Sequence, residues 1–185
     1  SAAPQSDGSV PMNTVPRIDA LLNAPDAHAL LQGRQSIRRY QSSQPSVASI
    51  RRIFESVAYS PSAHNRQPWR FMVVFGAAAK KRLALAMGRR LAGNGPSPVR
   101  RGNDGAADVV IRQDVGRSYE RITGAPVVIV VALTMAEMDR YPDQRRTQAE
   151  HMMAVQSTAM ATQNLMLAAH AEGLGTCWMC APLFC

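Results

Sequence analysis

The sequence has 185 residues, of which 46% are hydrophobic and 18% charged, a composition that is typical of globular chains and excludes a disordered one. A chain of this length buries one full core, and we expect a flexible arm over residues 1–16 followed by a single domain over residues 17–185. No apolar run approaches the roughly 18–20 residues that cross a membrane, and residues 1–16 lack a signal-peptide pattern. We therefore expect a cytoplasmic protein that does not contact membranes.

The net charge of +8 and the pI of about 10.2 raise the question of nucleic-acid binding. Few aromatic residues lie between the basic ones, and no zinc-finger or RNA-binding signature is present. A solvated basic surface is therefore favoured, and a nucleic-acid-binding protein without a cofactor is the alternative from another functional class. A few of the cations could instead hold a phosphate-bearing cofactor or substrate. Most are arginines in scattered pairs: Arg38-Arg39, Arg51-Arg52, Arg89-Arg90, Arg100-Arg101 and Arg145-Arg146.

The first predicted elements are a short helical turn over residues 17–23 and a helix over residues 26–33. Asp26 is an N-cap residue, and Gly33 ends the helical pattern.

The next segment, residues 34–40, alternates too regularly to be helical. In an extended chain Arg34, Ser36 and Arg38 project to one face and Ile37 to the other. Two guanidinium groups and a hydroxyl on one face suit a phosphate, because arginine pairs with its oxygens and serine donates a further hydrogen bond. The same pattern is equally typical of a solvated edge strand.

Residues 45–59 have the pattern of an amphipathic helix that Pro45 and Ser46 begin. Its apolar stripe consists of Val47, Ile50, Ile53, Phe54 and Val57.

A turn-rich loop, residues 60–68, leads from this helix into an apolar run over residues 71–75, which predicts a buried strand. Pro68 cannot donate a ladder hydrogen bond, so it marks the entry to the strand and leaves Asn65 and Gln67 outside the ladder. Such a loop presents amides and backbone N–H groups at a sheet edge, where α/β proteins often bind ligands. A plain junction between a loop and a strand is the alternative.

The middle of the chain predicts two further helices and a strand. Residues 77–91 form the first helix, residues 108–122 a weaker one, and residues 126–133 a fully buried central strand. Between the helices, residues 93–108 are rich in glycine and proline, and we expect a mobile loop that covers a site.

Residues 143–172 predict one helix of roughly 45 Å, at about 1.5 Å per residue. From Met152 onward it is apolar or small on nearly every side. The economical interpretation is that one face packs on the sheet and the other on a second copy of the chain, with methionine as adaptable filler. A central core helix in a monomer is the alternative.

The C-terminal residues predict a last strand over residues 176–179 and an irregular tail over residues 181–185. Cys177 and Cys180 have redox-pair spacing but follow a glycine helix stop, and the four histidines offer no second set of zinc ligands. We expect buried structural thiols and no metal site.

Three stretches in this order resemble the FMN-dependent nitroreductase family: GRQSIRRY at 33–40, SPSAHNRQPWRF at 60–71 and AEGLGTCWM at 171–179. The resemblance covers roughly residues 20–185. It implies a mixed α/β fold with a mostly antiparallel central sheet flanked by helices and a long central helix at a dimer interface.

The resemblance also implies roles for individual residues, all in FMN binding and none in side-chain catalysis. The first stretch would grip the FMN phosphate and ribityl chain, and the loop, usually supplied by the partner subunit, would hydrogen-bond the flavin ring through Asn65. The last stretch would bring backbone N–H groups to the flavin N5 and O4 atoms. His64 is interpreted as a structural loop residue rather than a proton donor. The implied cofactor-binding residues are Arg34, Gln35, Ser36, Ile37, Arg38, Ser62, Ala63, Asn65, Gln67, Cys180 and Ala181.

The implied activity is ping-pong hydride transfer from NADH or NADPH to FMN and on to a small nitroaromatic or quinone-type acceptor. A dimethylbenzimidazole synthase, a deazaflavin-related reductase and a flavin-binding protein without turnover are the alternatives within this resemblance. Family members continue past the last strand with a further basic phosphate contact. Either that segment is missing from this sequence, or the phosphate site relies on Arg34 and Arg38 more heavily than is usual in the family.

Overall fold

The computed structural model describes residues 24–93 and 104–184, and it divides the chain into two units, Ser1–Gly33 and Arg34–Cys185. The first unit contains helix α1, Ala24–Gly33. This helix ends at the predicted glycine but begins before Asp26, which lies in its first turn. The predicted turn over residues 17–23 lies outside the described residues.

The second unit alternates helices with two strands. No helix in residues 24–93 or 104–184 combines the length and apolarity needed to cross a membrane. The elements are α2 (Val47–Val57), a 3-10 helix (Ala63–Asn65), β1 (Trp69–Val74), α3 (Ala77–Gly93), α4 (Asp104–Gly124), β2 (Val128–Leu133), α5 (Gln144–Ala171) and a second 3-10 helix (Ala181–Phe184).

Three of the predicted segments differ from the structure. Helix α4 begins at Asp104, so residues 104–108 are helical and do not belong to the expected mobile loop; residues 94–103 lie outside the described part of the chain. The expected strand over residues 176–179 contributes only one bridge, between Ser36 and Thr176. The expected irregular tail instead contains the second 3-10 helix.

Strands β1 and β2 pair antiparallel, with Trp69 opposite Leu133 and Val74 opposite Val128. Pro68 precedes β1 directly, as predicted from its missing N–H. The prediction that both strands are buried is wrong, because Met72 is 64% exposed and most residues of β2 are only partly buried. Among the described residues the sheet has these two strands only, so no third strand covers the outer edge of either one.

The core lies in two clusters. One joins α2, β1 and α5 through Ile53, Trp69 and Leu165, with the rings of Phe54 and Phe71 at 5.4 Å between centroids. The other joins α3 to α4 through Ala84, Met87 and Ile122. This burial of apolar surface stabilises the helix pairs α2–α5 and α3–α4.

Helix α2 begins where the sequence predicts, because the Ser46 hydroxyl accepts a hydrogen bond of 3.0 Å from the backbone N–H of Ser49. Ile50, Ile53 and Val57 of its stripe are buried. Val47 was expected beside them but is 69% exposed. It is the first residue of the helix, where the apolar stripe leaves the core.

The long helix α5 has a defined signal at each end. The Asp143 carboxylate accepts a hydrogen bond of 2.9 Å from the backbone N–H of Arg146. At the other end Gly173 has a φ of 74°, and the N–H groups of Gly173 and Leu174 donate to the carbonyls of His170 and Ala169 at 2.9 and 2.8 Å. This is the Schellman arrangement, in which glycine adopts the left-handed conformation without a Cβ penalty.

The end of α5 is also tied to α2. The Arg52 guanidinium donates two hydrogen bonds, of 2.8 and 2.6 Å, to the carboxylate of Glu172. These bonds lower the pKa of Glu172. Because the pKa of Glu172 is lowered, the ion pair stabilises the fold above the usual glutamate pKa. This stabilisation is lost as the pH falls through the lowered pKa.

Replacing Ile53 with alanine should lower the free energy of unfolding by about 2–5 kcal/mol, because it leaves a cavity between α2, β1 and α5. Val47→Ala on the same helix should change it by less than about 0.5 kcal/mol, because Val47 is exposed. Urea unfolding followed by far-UV circular dichroism measures both. Equal losses would contradict the burial difference along α2.

Candidate functional site

A cleft of about 730 Å³ lies between residues 37–45, strand β2, the C-terminal half of α5 and residues 173–183. Residues 37–40 are the second half of the extended segment 34–40. Its volume is in the range of small-molecule binding sites. Core residues such as Ile53 and Leu165 line it, so its wall is largely apolar. Such a wall suits a flat aromatic ring system better than a polar ligand.

The charged side chains on the cleft wall come from two elements. Arg38 and Arg39 belong to the extended segment, beside Tyr40, and Arg121 belongs to the last turn of α4. The Tyr40 hydroxyl donates a hydrogen bond of 2.7 Å to the carbonyl of Ile37. Burial raises the pKa of Tyr40, and the nearby Cys177 raises it further, while the charges of Arg38 and Arg121 act in the opposite direction. Tyr40 is therefore a protonated, neutral group at physiological pH.

The extended segment docks on the chain that leaves α5. The N–H of Ile37 donates a hydrogen bond of 2.9 Å to the carbonyl of Thr176, so this N–H is already engaged within the chain. A Cβ added at Gly175 would lie 2.8–2.9 Å from three side-chain atoms of Ile37. Only glycine permits this close approach without a shift of one segment.

Cys177 and Cys180 border the cleft beside this contact. The indole N–H of Trp178 donates to the Cys180 thiol at 2.8 Å. Cys180 is exposed and Cys177 only partly buried, so the expectation of buried thiols is wrong. The physical reason is that the residues after Thr176 do not enter the sheet, where the neighbouring strands would have covered them.

The loop before β1 is bound to α5 rather than to the cleft. The Asn164 amide donates to the Ser60 hydroxyl at 2.8 Å, and the N–H of Ala63 donates to the Ser157 hydroxyl at 3.2 Å. Inside the loop the N–H of Gln67 donates to the Ser62 hydroxyl at 3.1 Å. These hydrogen bonds fix the loop along the middle of α5.

Three residues of the same loop occupy the left-handed region: His64 at φ 49°, Asn65 at 53° and Gln67 at 47°. Each non-glycine residue there costs on the order of 1 kcal/mol, and such residues cluster at functional sites. The side chains of His64 and Asn65 are exposed. The Gln67 amide donates to the carbonyl of Ala58 at 3.2 Å, so that donor is used within the chain.

Within one chain the predicted site residues fall into separate groups. Ala181 packs against the α3–α4 cluster, and Arg34, Gln35 and Ser36 precede the part of the extended segment that lines the cleft. The members that line the cleft are Ile37, Arg38 and Cys180, whereas Ser62, Ala63, Asn65 and Gln67 belong to the loop on α5.

Sequence reasoning missed Tyr40 and Arg121. A usable signal existed for Arg121, because Arg117 and Arg121 are spaced to lie on one face at the C-terminal end of a helix. No pattern pointed to Tyr40, whose position depends on the docking of the extended segment.

The chain matches the model of the nitroreductase family over residues 31–185. A provisionally named NADH dehydrogenase/NAD(P)H nitroreductase of Archaeoglobus fulgidus is 26% identical over 150 residues, which are 81% of this chain and 64% of that protein. The chain thus spans less than two thirds of this relative's length.

Solved structures give the same similarity in three dimensions. The FMN-dependent nitroreductase NfnB of Mycobacterium smegmatis, in complex with NADPH, aligns with a TM-score of 0.56 and 26% identity over 83% of this chain and 74% of its own. A BluB-like flavoprotein of Clostridium difficile 630 aligns with a TM-score of 0.68 over 85% of this chain and 76% of its own. At 19% identity, the second likeness concerns the fold alone.

Gly175→Ala should destabilise the protein by about 1–3 kcal/mol, because the new methyl group overlaps the side chain of Ile37. Gly76→Ala is the matched control, since a Cβ there has nothing within 4 Å. Shrinking the partner in an Ile37→Ala/Gly175→Ala double variant should recover most of that loss. Thermal unfolding of the wild type, Gly175→Ala, Ile37→Ala and the double variant forms a double-mutant cycle, and strict additivity would contradict the contact.

Proposed function

The chain belongs to the nitroreductase family, and on that premise we propose that it is an FMN-dependent oxidoreductase. NADH or NADPH is the reductant, and a small nitroaromatic or quinone-type compound is the acceptor in a ping-pong cycle. One observation carries the proposal: the cleft is largely apolar, is of small-molecule size, and is bordered by a segment that carries the exposed arginine pair Arg38-Arg39.

The residues around the cleft fit FMN in chemistry and size. Apolar side chains from α2 and α5 offer a dry surface for an aromatic ring system, and Arg38 offers a guanidinium for a phosphate. Hydride transfer is the chemistry that FMN supplies when bound. The protein's part is to bind and orient it and to exclude water.

We assign the phosphate end to the extended segment. Arg34, Ser36 and Arg38 alternate along it, and its docking through Ile37 and Thr176 holds their spacing. Because the segment is fixed before any ligand binds, little conformational entropy is lost on binding. Cys180 and Ala181 are assigned to the other end, near the reacting part of the ring.

We further propose a homodimer with FMN at the interface. Helix α5 exposes Met152, Val155, Ala159 and Met160, whose spacing is that of one helical face. The loop that carries Asn65 is hydrogen-bonded to the middle of the same helix. Two copies that pack along α5 would bring the loop of one chain towards the cleft of the other, so that the predicted residues of the loop and those of the cleft would meet.

Arg38→Gln should weaken FMN binding by about 10–100-fold, because a charge-assisted hydrogen bond contributes about 1.5–3 kcal/mol. Arg51→Gln, which removes an exposed arginine of α2, is the control and should leave the affinity unchanged. Quenching of FMN fluorescence measures binding, and bleaching of the visible bands by NADH or NADPH measures reduction. A colourless wild-type protein that takes up no added FMN would overturn the proposed cofactor.

Met160→Asp should convert the dimer to a monomer, because it places a charge in an apolar face that must be desolvated. Leu85→Asp is the control: Leu85 is similarly exposed, at 44%, but lies on α3. Sedimentation equilibrium gives the mass of each variant. Met160→Asp should lower both the mass and the affinity for FMN, and Leu85→Asp should change neither. A wild-type monomer that binds FMN fully would contradict the shared site.

A further inference from the structure

A second cavity, of about 520 Å³, adjoins the cleft and is strongly basic. It is lined by the guanidinium-bearing residues Arg38, Arg39, Arg117 and Arg121, with Glu120 as the single acidic residue. We call it the basic cavity. The four guanidinium groups repel one another, the carboxylate of Glu120 offsets only part of that repulsion, and a bound anion relieves more of it.

Three of the four cations have no ion-pair partner in the described part of the chain. Arg117 forms an ion pair with Asp114. Over residues 24–93 and 104–184, Arg38, Arg39 and Arg121 form no ion pair with any other described residue. The charges of Arg38 and Arg121 both act on the Tyr40 hydroxyl, so cations from the extended segment and from α4 converge on one place.

A helix C-terminus by itself attracts cations, which explains Arg121 in the last turn of α4. It does not explain Arg38 and Arg39, which reach the same cavity from a different segment. Arginine forks pair with phosphate through two parallel hydrogen bonds. The combination of two elements is therefore typical of a phosphate site rather than of helix capping.

The basic cavity adjoins the cleft and shares part of its wall. Arg38, Arg39, Tyr40 and Arg121 line both. The same guanidinium groups therefore border a ring bound in the cleft and a phosphate bound in the basic cavity. Arg39, Arg117 and Arg121 are additional to the Arg34, Ser36 and Arg38 set assigned to the FMN phosphate, which leaves them for a second phosphate-bearing molecule.

We propose that the basic cavity binds the 2′-phosphate of NADPH and so makes the protein prefer NADPH to NADH. This inference rests on the proposed function, since it identifies the reductant of the same site. NADH has a hydroxyl at that position, and a hydroxyl gains little from guanidinium groups that a dianion would pair. The FMN phosphate and free inorganic phosphate can pair with the same guanidinium groups. The test below distinguishes both from the 2′-phosphate of NADPH.

The test is calorimetric titration of the FMN-loaded protein with adenosine 2′,5′-bisphosphate and with adenosine 5′-monophosphate. The wild type should bind the bisphosphate about 10–100-fold more tightly, and Arg121→Gln should abolish most of that preference. In steady state the variant should raise the KM for NADPH about tenfold while the KM for NADH changes less than about twofold. Arg82→Gln, which removes an exposed arginine of α3, is the matched control.

Three results would overturn the inference. Equal affinity of the wild type for the two nucleotides would mean that no 2′-phosphate is recognised. Loss of FMN from Arg121→Gln, followed by its fluorescence, would assign the cavity to the FMN phosphate. Displacement of the bisphosphate by inorganic phosphate at equal affinity would assign it to free phosphate.

The titration also separates this inference from the proposed function, because it needs no turnover. Selective binding of the bisphosphate without reduction of FMN by NADPH would overturn the reductase and support the phosphate site. Efficient reduction by both nucleotides, unchanged in Arg121→Gln, would support the reductase and overturn the phosphate site.

Discussion

The contact between the extended segment and the exit of α5 is the constraint on which the cleft depends. Gly173 turns the chain out of the helix, and Gly175 lets the side chain of Ile37 approach its backbone. The hydrogen bond from Ile37 to Thr176 then fixes the register of the two segments. Without this docking, Arg38 and Tyr40 would not line the cleft. The packing of Ile37 on Gly175 thus determines where the charge of Arg38 lies.

Helix α5 connects that contact to the rest of the protein. Its buried face carries Leu165 in the main core, while Ser157 and Asn164 hold the loop before β1 by hydrogen bonds. The loop tolerates three left-handed residues because those hydrogen bonds and the start of β1 restrain it on both sides. The same helix therefore supports the cleft and the loop, and it leaves Met160 and its apolar neighbours exposed.

Local signals in the sequence predicted the elements well where they act within a few residues. Ser46 and Gly173 mark helix ends through caps and glycine geometry, and Pro68 marks the entry to β1. Predictions that depended on distant neighbours were less accurate. Val47 and Met72 are exposed, and the residues after Thr176 do not form a strand, because burial and pairing are decided by which segments pack together.

By itself the sequence determined the order and type of helices α1–α5 and of strands β1 and β2, and the resemblance that the nitroreductase family match supports. It also identified Arg38 and Cys180, two residues that line the cleft. Only the tertiary structure decided that the loop with Asn65 lies on α5 and that Arg121 joins Arg38 beside Tyr40. The reason is that propensities and caps act over a few residues along the chain, whereas a charged cavity needs segments that are distant in sequence to meet, and packing alone determines that.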